Sequence, residues 1–378
     1  MTVEPAGFDP IWAPLRVTLV LWSGNVGGAE TQSVSLAGRL RTLGVEASVI
    51  FICGAMPLGA RLSELAVPFT ELGFRRGTQV FLAPQRMTRA LKAARPDVII
   101  LAQGSPLAPL ARIGSPRSAI IHVQHTGYFW YSHSRRALER LGGLCQRYFV
   151  DVDVAVSDFV LDAMRGQFHA PRTERIYNGV ELSRFRPRLG GSPRESVVVA
   201  YAGRLGAGKG VEDLIEAAAR VRSQRPFELL IAGAGPMRES LERLAAARLA
   251  PHAFRFVGQQ KDMPAFWSAC DLAVVPSHGL IESFGMVAAE AMACGKAVIA
   301  SRAGGLREVV AHAETGMLFE PGNTHELAAC IAAYVENAAM RMAHGAAARD
   351  RVARLFDIDT TARSYIALGR ELAESRRP

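Results

Sequence analysis

The sequence has little cysteine and no arrangement that would use it: Cys53, Cys145, Cys270, Cys294 and Cys330 are scattered, odd in number and without a C-x-x-C pair. That excludes a disulfide framework and a cysteine-based zinc site, and a reducing cytoplasm is the expected compartment. No apolar run approaches the roughly 18 residues that cross a bilayer, and the first residues, MTVEPAGFDPIWAPLRVTLVLW, lack the basic, apolar, small-residue order of a secretory leader. Any membrane contact is therefore expected to be peripheral, on the inner face of the cytoplasmic membrane. Acids are nearly missing from residues 72–138, where ten Arg or Lys face one acid, Asp97. Lysine is scarce throughout, Arg making up 40 of the 44 basic residues. A skew of that kind in the whole composition is no signature of nucleic-acid binding, and with no recognised nucleic-acid module present, nucleic acid is not an expected partner.

What is present suits two compact domains. At roughly 150 residues per domain, 378 residues exceed one ordinary core, and 49 % apolar with 21 % charged residues is close to the soluble globular average. The net charge of +9 is unevenly placed: residues 1–190 hold 22 Lys or Arg and 14 Asp or Glu, residues 191–378 hold 22 and 21. Short β-rich runs alternate with amphipathic stretches in both halves, the pattern of parallel α/β sheets. The strands read at 17–22, 45–52, 98–102, 119–123 and 152–156, then at 197–202, 228–232, 254–257, 272–275 and 297–301. Between the halves RPRLGGSPRES, residues 186–196, breaks any period. The boundary is placed there, giving an N-terminal domain of residues 1–190 and a C-terminal domain beginning at 191. Open α/β sheets bind ligands beyond the carboxyl ends of their strands, so the informative motifs are those that follow strands.

Three such motifs stand out. SGNVGGAE after the first strand puts Gly24, Gly27 and Gly28 before a helix, which suits either a phosphate approached by backbone N–H groups or a plain turn. It is not a G-x-G-x-x-G fingerprint. GRLGAGKG at 203–210 resembles a P-loop, but Gly210 stands where the Mg²⁺-binding Ser or Thr would be. Arg204 and Lys209 then read as two cations for a diphosphate held without a metal, or as ordinary surface charges. PSHGLIESFGMVAAEAMACGKAVIASRAGG at 276–305 runs from strand end through loop and helix to a second strand. Its helix starts near Phe284 or Gly285, with free N–H groups able to hold an anion. Glu282 precedes that helix and Glu290 lies within it. Eight helical residues rise about 12 Å, against roughly 5–9.5 Å for glycosidase carboxylate pairs, so the two acids read as serving separate parts of an elongated ligand.

In order and spacing these residues resemble the retaining family 4 glycosyltransferases of the GT-B fold, over nearly the whole chain. The resemblance rests on GGAE at 27–30, IYNGVELSRFRP at 176–187, GR and KG within 203–210, IAGAGP at 231–236, FVG at 256–258, E-x-F-G followed by Glu290, AGG at 303–305 and TGMLFEPG at 315–322. It implies an α/β architecture of two Rossmann-like, doubly wound parallel-sheet domains facing a central cleft. The N-terminal domain would take the acceptor and residues 191–360 the nucleotide-sugar donor, with a helix at 361–378 packing back on the N-domain.

Carried over residue by residue, the resemblance implies that Arg204 and Lys209 bind the donor diphosphate, Glu290 the ribose hydroxyls and Glu282 the sugar hydroxyls. Backbone amides of Phe284, Gly285, Met286 and Val287 would hold the sugar and distal phosphate. Gly27 and Gly28 would close from the N-domain, and His125 would stand near the transferred sugar. No metal and no other cofactor is expected, since His122 and His125 have no carboxylate or further ligand at a suitable spacing. Ser283 follows the first glutamate where the family commonly has Gly, and Ala297 stands where it often has Pro; the first leaves the sugar open.

The expected partners are a nucleotide sugar of UDP or GDP and a glycan or lipid-linked acceptor, as in polysaccharide, glycolipid or lipid-linked oligosaccharide synthesis. A soluble small-molecule acceptor, or a non-catalytic sugar-nucleotide-binding subunit, is the alternative. The segment YFWYSHSRRALERLGGLCQRYF, 128–149, reads either as a headgroup interface or as a core-packed helix with a solvated basic face.

Overall fold

The computed structural model describes residues 14–25, 27–125, 136–165, 170–187, 195–279 and 282–376. Seven strands form the first sheet: β1 (Arg16–Leu21), β2 (Glu46–Phe51), β3 (Phe69–Glu71), β4 (Val98–Leu101), β5 (Ala119–Gln124), β6 (Val152–Ala155) and β7 (Arg172–Arg175). Six form the second: β8 (Val197–Ala202), β9 (Phe227–Ala232), β10 (Phe254–Gly258), β11 (Leu272–Val275), β12 (Ala297–Ser301) and β13 (Gly316–Phe319). The orders are β3-β2-β1-β4-β5-β6-β7 and β10-β9-β8-β11-β12-β13. Each strand pairs with its neighbours in parallel. The central strands read as unbroken apolar runs because helices cover both faces.

Helices α1 (Gly28–Thr42), α2 (Leu58–Glu64), α3 (Gln85–Ala94), α4 (Ala108–Gly114), α5 (Arg136–Phe149) and α6 (Asp158–Met164) accompany the first sheet. Helices α7 (Val211–Arg220), α8 (Arg238–Arg248), α9 (Met263–Ser268), α10 (Met286–Ala293), α11 (Leu306–Val309), α12 (Thr324–Glu336) and α13 (Ala338–Leu355) accompany the second. Two cores flank the outer faces of the sheets, and a third runs continuously from β1, α1 and α2 to α10 and α13, joining the domains. The last helix, α14 (Ile358–Ser375), begins three residues before the expected 361 because Asp357 caps it, accepting from the Asp359 N–H at 3.1 Å. It packs on α1 and against β4 and β5.

Two chain crossings join the halves and are bonded to each other. Val180 N–H donates to the Phe356 carbonyl (2.7 Å) and Ile358 N–H to the Val180 carbonyl (3.1 Å). Gly179 fits there for lack of a side chain, since a Cβ would stand 2.5 Å from the Ile358 Cα. The Gln32 amide of α1, turned to satisfy both its groups, holds the Gly179 backbone at 2.8 and 2.9 Å. At a second point of contact the Glu308 carboxylate caps α6, accepting from the Asp158 and Phe159 N–H groups at 2.7 Å each. Negative charge there complements the helix terminus.

Candidate active site

In each sheet the chain order reverses once between central neighbours, between β1 and β4 and between β8 and β11. Such reversal points open a crevice at the strand ends. At the second of them the loops after β8 and β11 meet, and these are the two loops that carry Lys209 and Glu282. Lys209 Nζ donates to Glu282 Oε2 at 2.7 Å, and Ser277 Oγ donates to the same oxygen at 3.1 Å. Both members of the ion pair are partly buried.

The loops are also fastened by backbone. His278 N–H donates to the Gly208 carbonyl at 2.7 Å, and the His278 ring pairs with Asp213 of α7. Gly210 has φ +68°, and a Cβ on it would lie 1.9 Å from the Pro276 carbonyl oxygen. The glycine that departs from the P-loop pattern is thus what lets the two loops touch. Arg204 is exposed, its guanidinium folded over Gly206, with Nε 3.1 Å from where a Cβ of that glycine would be. The buried Tyr201 hydroxyl anchors its backbone, donating to the Arg204 carbonyl at 3.0 Å.

Helix α10 follows at once. Gly285 caps it in the left-handed region at φ +104°, leaving the N–H groups of its first turn free of intrahelical partners. Phe284 is the buried anchor of this turn, its ring 5.9 Å from Tyr177 and 5.3 Å from Phe356, both on the inter-domain crossings. Met286 and Val287 are half-buried. The Ala303-Gly304-Gly305 segment packs against the Glu282 backbone, Gly305 N–H donating to the Glu282 carbonyl at 2.9 Å. From the other domain, Ser157 Oγ donates to the Ser283 carbonyl at 2.6 Å.

Glu290, one turn further along α10, lies apart from Glu282 in a recess lined by Gln32, Ser35, Glu181, Arg184 and Met286. Burial pushes its carboxyl up to about 7, with Arg184 pulling down and Glu181 pushing up. The folded chain therefore holds a proton on Glu290 that the unfolded chain has released, and the stability linked to it is present below the ordinary value near 4.5 and lost as pH rises through about 7. Glu290→Gln is expected to abolish that loss: denaturation of both proteins at pH 5 and pH 8 should show the variant gaining on the wild type only at the higher pH. A difference that does not change with pH would remove Glu290 as the titrating group.

On the N-domain side Gly27 is the N-cap of α1, and a Cβ on it would meet Glu30 Oε2 at 2.4 Å, whereas Gly28 faces open space. Glu30 is held in turn by Gln103, at 2.9 Å, from the loop after β4. His125 follows β5 in a recess with Gln32, Ser33, Asn178 and Tyr365. Burial, and secondarily His122, lower its pKa to about 4, so the imidazole is neutral at physiological pH. Besides the strands, that recess is walled by α1, the crossing segment and α14. His122 points the other way and is buried, its Nδ1 2.8 Å from Asp153 Oδ1 on β6. Sequence spacing did not show that carboxylate because strand pairing brings it in from 31 residues away. The aromatic stretch 128–131 lies outside the described residues.

Sequence reasoning assigned no role to Ser277, Glu181, Arg184 or Arg349. Arg349 of α13 donates to the carbonyls of Phe185 (2.6 Å) and Ala293 (2.7 Å), tying the crossing segment to the end of α10. Glu181 is held by Ser35 and, at 3.2 Å, by Arg61. Only the NGVELSRF motif offered a signal for the middle pair.

Comparison with known proteins covers both halves. The family described as Glycosyltransferase Family 4 matches residues 26–184, and that described as Glycosyl transferases group 1 matches residues 186–351. A D-inositol 3-phosphate glycosyltransferase of Thermobispora bispora is 30 % identical over 366 residues, covering 83 % of each chain. A glycogen synthase of Mycobacterium tuberculosis is 37 % identical over 207 residues, 52 % of this chain and 48 % of that one. The chain thus spans about half the length of the first curated relatives it matches. Among solved structures, Anabaena Alr3699/HepE in complex with UDP and glucose superposes with a TM-score of 0.80 at 23 % identity, covering 94 % of this chain and 99 % of that one.

Proposed function

The chain belongs to the family 4 glycosyltransferases of the GT-B fold, and from that premise we propose that it moves a hexose-type sugar from UDP or GDP to an acceptor hydroxyl, with retention and without a metal ion. The observation that carries this reading is the Lys209–Glu282 pair at the β8–β11 reversal point. It keeps a cation for a phosphate and a carboxylate for sugar hydroxyls side by side, each partnered until the donor replaces the other.

In this mechanism the bond between the anomeric carbon and the diphosphate oxygen breaks, its electron pair leaving with the diphosphate. Arg204, Lys209 and the free N–H groups at the start of α10 face the growing negative charge, the main electrostatic task in such a transfer. Glu282 orients the sugar and Glu290 the ribose. The acceptor oxygen bonds to the same face of the anomeric carbon, and its proton passes to the departing phosphate oxygen. His125, being neutral, contributes hydrogen bonding rather than charge.

The acceptor is read as a glycan or lipid-linked hydroxyl near a membrane, because the basic excess sits in the N-domain. A soluble acceptor is the second reading, supported by the name of the Thermobispora relative, which specifies inositol 3-phosphate. Thermal unfolding with UDP, GDP, ADP and their sugars tests the donor, since a ligand of the native state raises the midpoint by mass action. One nucleotide sugar is expected to stabilise the chain and to be hydrolysed or transferred by it. Stabilisation by none would overturn the reading, and binding without turnover would leave a non-catalytic subunit.

A further inference from the structure

Helices α3, α4 and α5 lie side by side over one face of the N-terminal sheet, α3 against α4 and α4 against α5. Their inner sides are spent on a core that includes Met87, Leu91, Ala108 and Ala111. Their outer sides are not ordinary solvent faces. Of the nine large apolar side chains exposed among the described residues, five belong to this layer: Phe81 and Leu82 ahead of α3, Ile113 on α4, and Leu144 and Tyr148 on α5. Leu82 is 85 % exposed, Tyr148 71 % and Ile113 64 %.

The same helices and the segments that flank them carry exposed cations, among them Arg76, Arg89, Lys92, Arg95, Arg117 and Arg147. Among the described residues none of these six makes an ion pair. The one acid in residues 72–118, Asp97, is engaged by Arg16 at 2.8 Å.

We propose that this outer face of α3, α4 and α5 docks on an anionic lipid bilayer. Charge complementarity alone would also suit a soluble polyanion, but a polyanion offers nothing to Leu82, Ile113 and Leu144. A bilayer surface offers both: anionic headgroups for unpaired arginines and an apolar layer just beneath for the projecting side chains, with Tyr148 and Phe81 suited to the boundary. The face also differs from the stretch that sequence spacing suggested, since only its α5 end falls within 128–149. The proposal deepens the membrane-proximal acceptor reading and rests on it for its purpose, yet the two are tested apart.

The test is co-sedimentation of the full chain with vesicles of equal parts phosphatidylglycerol and phosphatidylcholine, against vesicles of phosphatidylcholine alone. The wild type is expected to bind the anionic vesicles at low ionic strength and to be released by salt. Arg89→Glu, Lys92→Glu and Arg147→Glu together should weaken binding on the order of a hundredfold or more, at about fivefold per cation removed. Leu82→Ser, Ile113→Ser and Tyr148→Ser together should lose vesicle binding while retention on heparin, a soluble polyanion, stays unchanged. No binding of the wild type at low salt would overturn the proposal. So would a serine variant that binds vesicles as the wild type does, which would mark the face as a polyanion site. Donor hydrolysis without lipid is expected to be unchanged in both variants. A wild type that hydrolyses donor but does not bind vesicles removes only this inference, and a wild type that binds vesicles but does not hydrolyse donor removes only the catalytic reading.

Discussion

Alanine in place of Lys209 is expected to lower sugar transfer by about 10²–10³, the usual loss when one preorganised donor to a developing oxyanion is removed. The fold should survive. The pair it breaks is partly accessible, and Glu282 keeps its bond from Ser277, so the stability cost should stay near ~1 kcal/mol. Arg204→Ala should cost still less stability, since Arg204 is exposed, while lowering transfer to a similar degree. Glu282→Gln separates the two jobs of the pair. It frees Lys209, so UDP or GDP should bind at least as tightly as to the wild type, while turnover of the full nucleotide sugar falls. Steady-state transfer with calorimetric titration of the bare nucleotide reads all three variants. Near wild-type transfer in both alanine variants would sink the assignment, and weakened nucleotide binding in Glu282→Gln would show that the carboxylate holds Lys209 in place for the diphosphate and does not compete with it.

Much of this site was legible from local pattern. Strands β1, β4, β5, β8 and β11 are apolar runs with turn residues behind them, and the loops after β8 and β11 announced Lys209 and Glu282 through glycine and helix-start signals. What spacing does not encode is adjacency. Lys209 and Glu282 are 73 residues apart, and only the strand order that sets β11 beside β8 brings them together. The short strands β3 and β7, with sequences FTE and RTER, escaped for a related reason: they are edge strands of partly exposed residues, without the apolar run that marks a central one. Arg349 is harder still, because an arginine beside Asp350, Arg351 and Arg354 on an alanine-rich helix reads as a solvated charge until tertiary packing sets two carbonyls against it.

Alanine at Gly304 is expected to have the second large effect, and alanine at Gly322 supplies the contrast that interprets it. Both glycines sit in the left-handed region, at φ +52° and φ +80°, where an L side chain costs roughly 1–2 kcal/mol. At Gly322 that is the whole cost, because an added Cβ meets nothing within 4 Å. At Gly304 the Cβ would stand 2.0 Å from the Glu282 carbonyl oxygen, a backbone atom that cannot turn aside. The segment bearing Glu282 must shift, and with it the carboxylate that faces Lys209. Gly304→Ala should therefore lose at least ~2–3 kcal/mol of stability and ten- to a hundredfold in kcat/KM, a 1 Å misplacement being enough for the latter. Gly322→Ala should lose about 1 kcal/mol with kcat/KM unchanged. Chemical denaturation and steady-state kinetics on the two variants decide the matter. Equal losses of stability with activity kept in both would mean that Gly304 serves only its own backbone angle and does not set the position of Glu282.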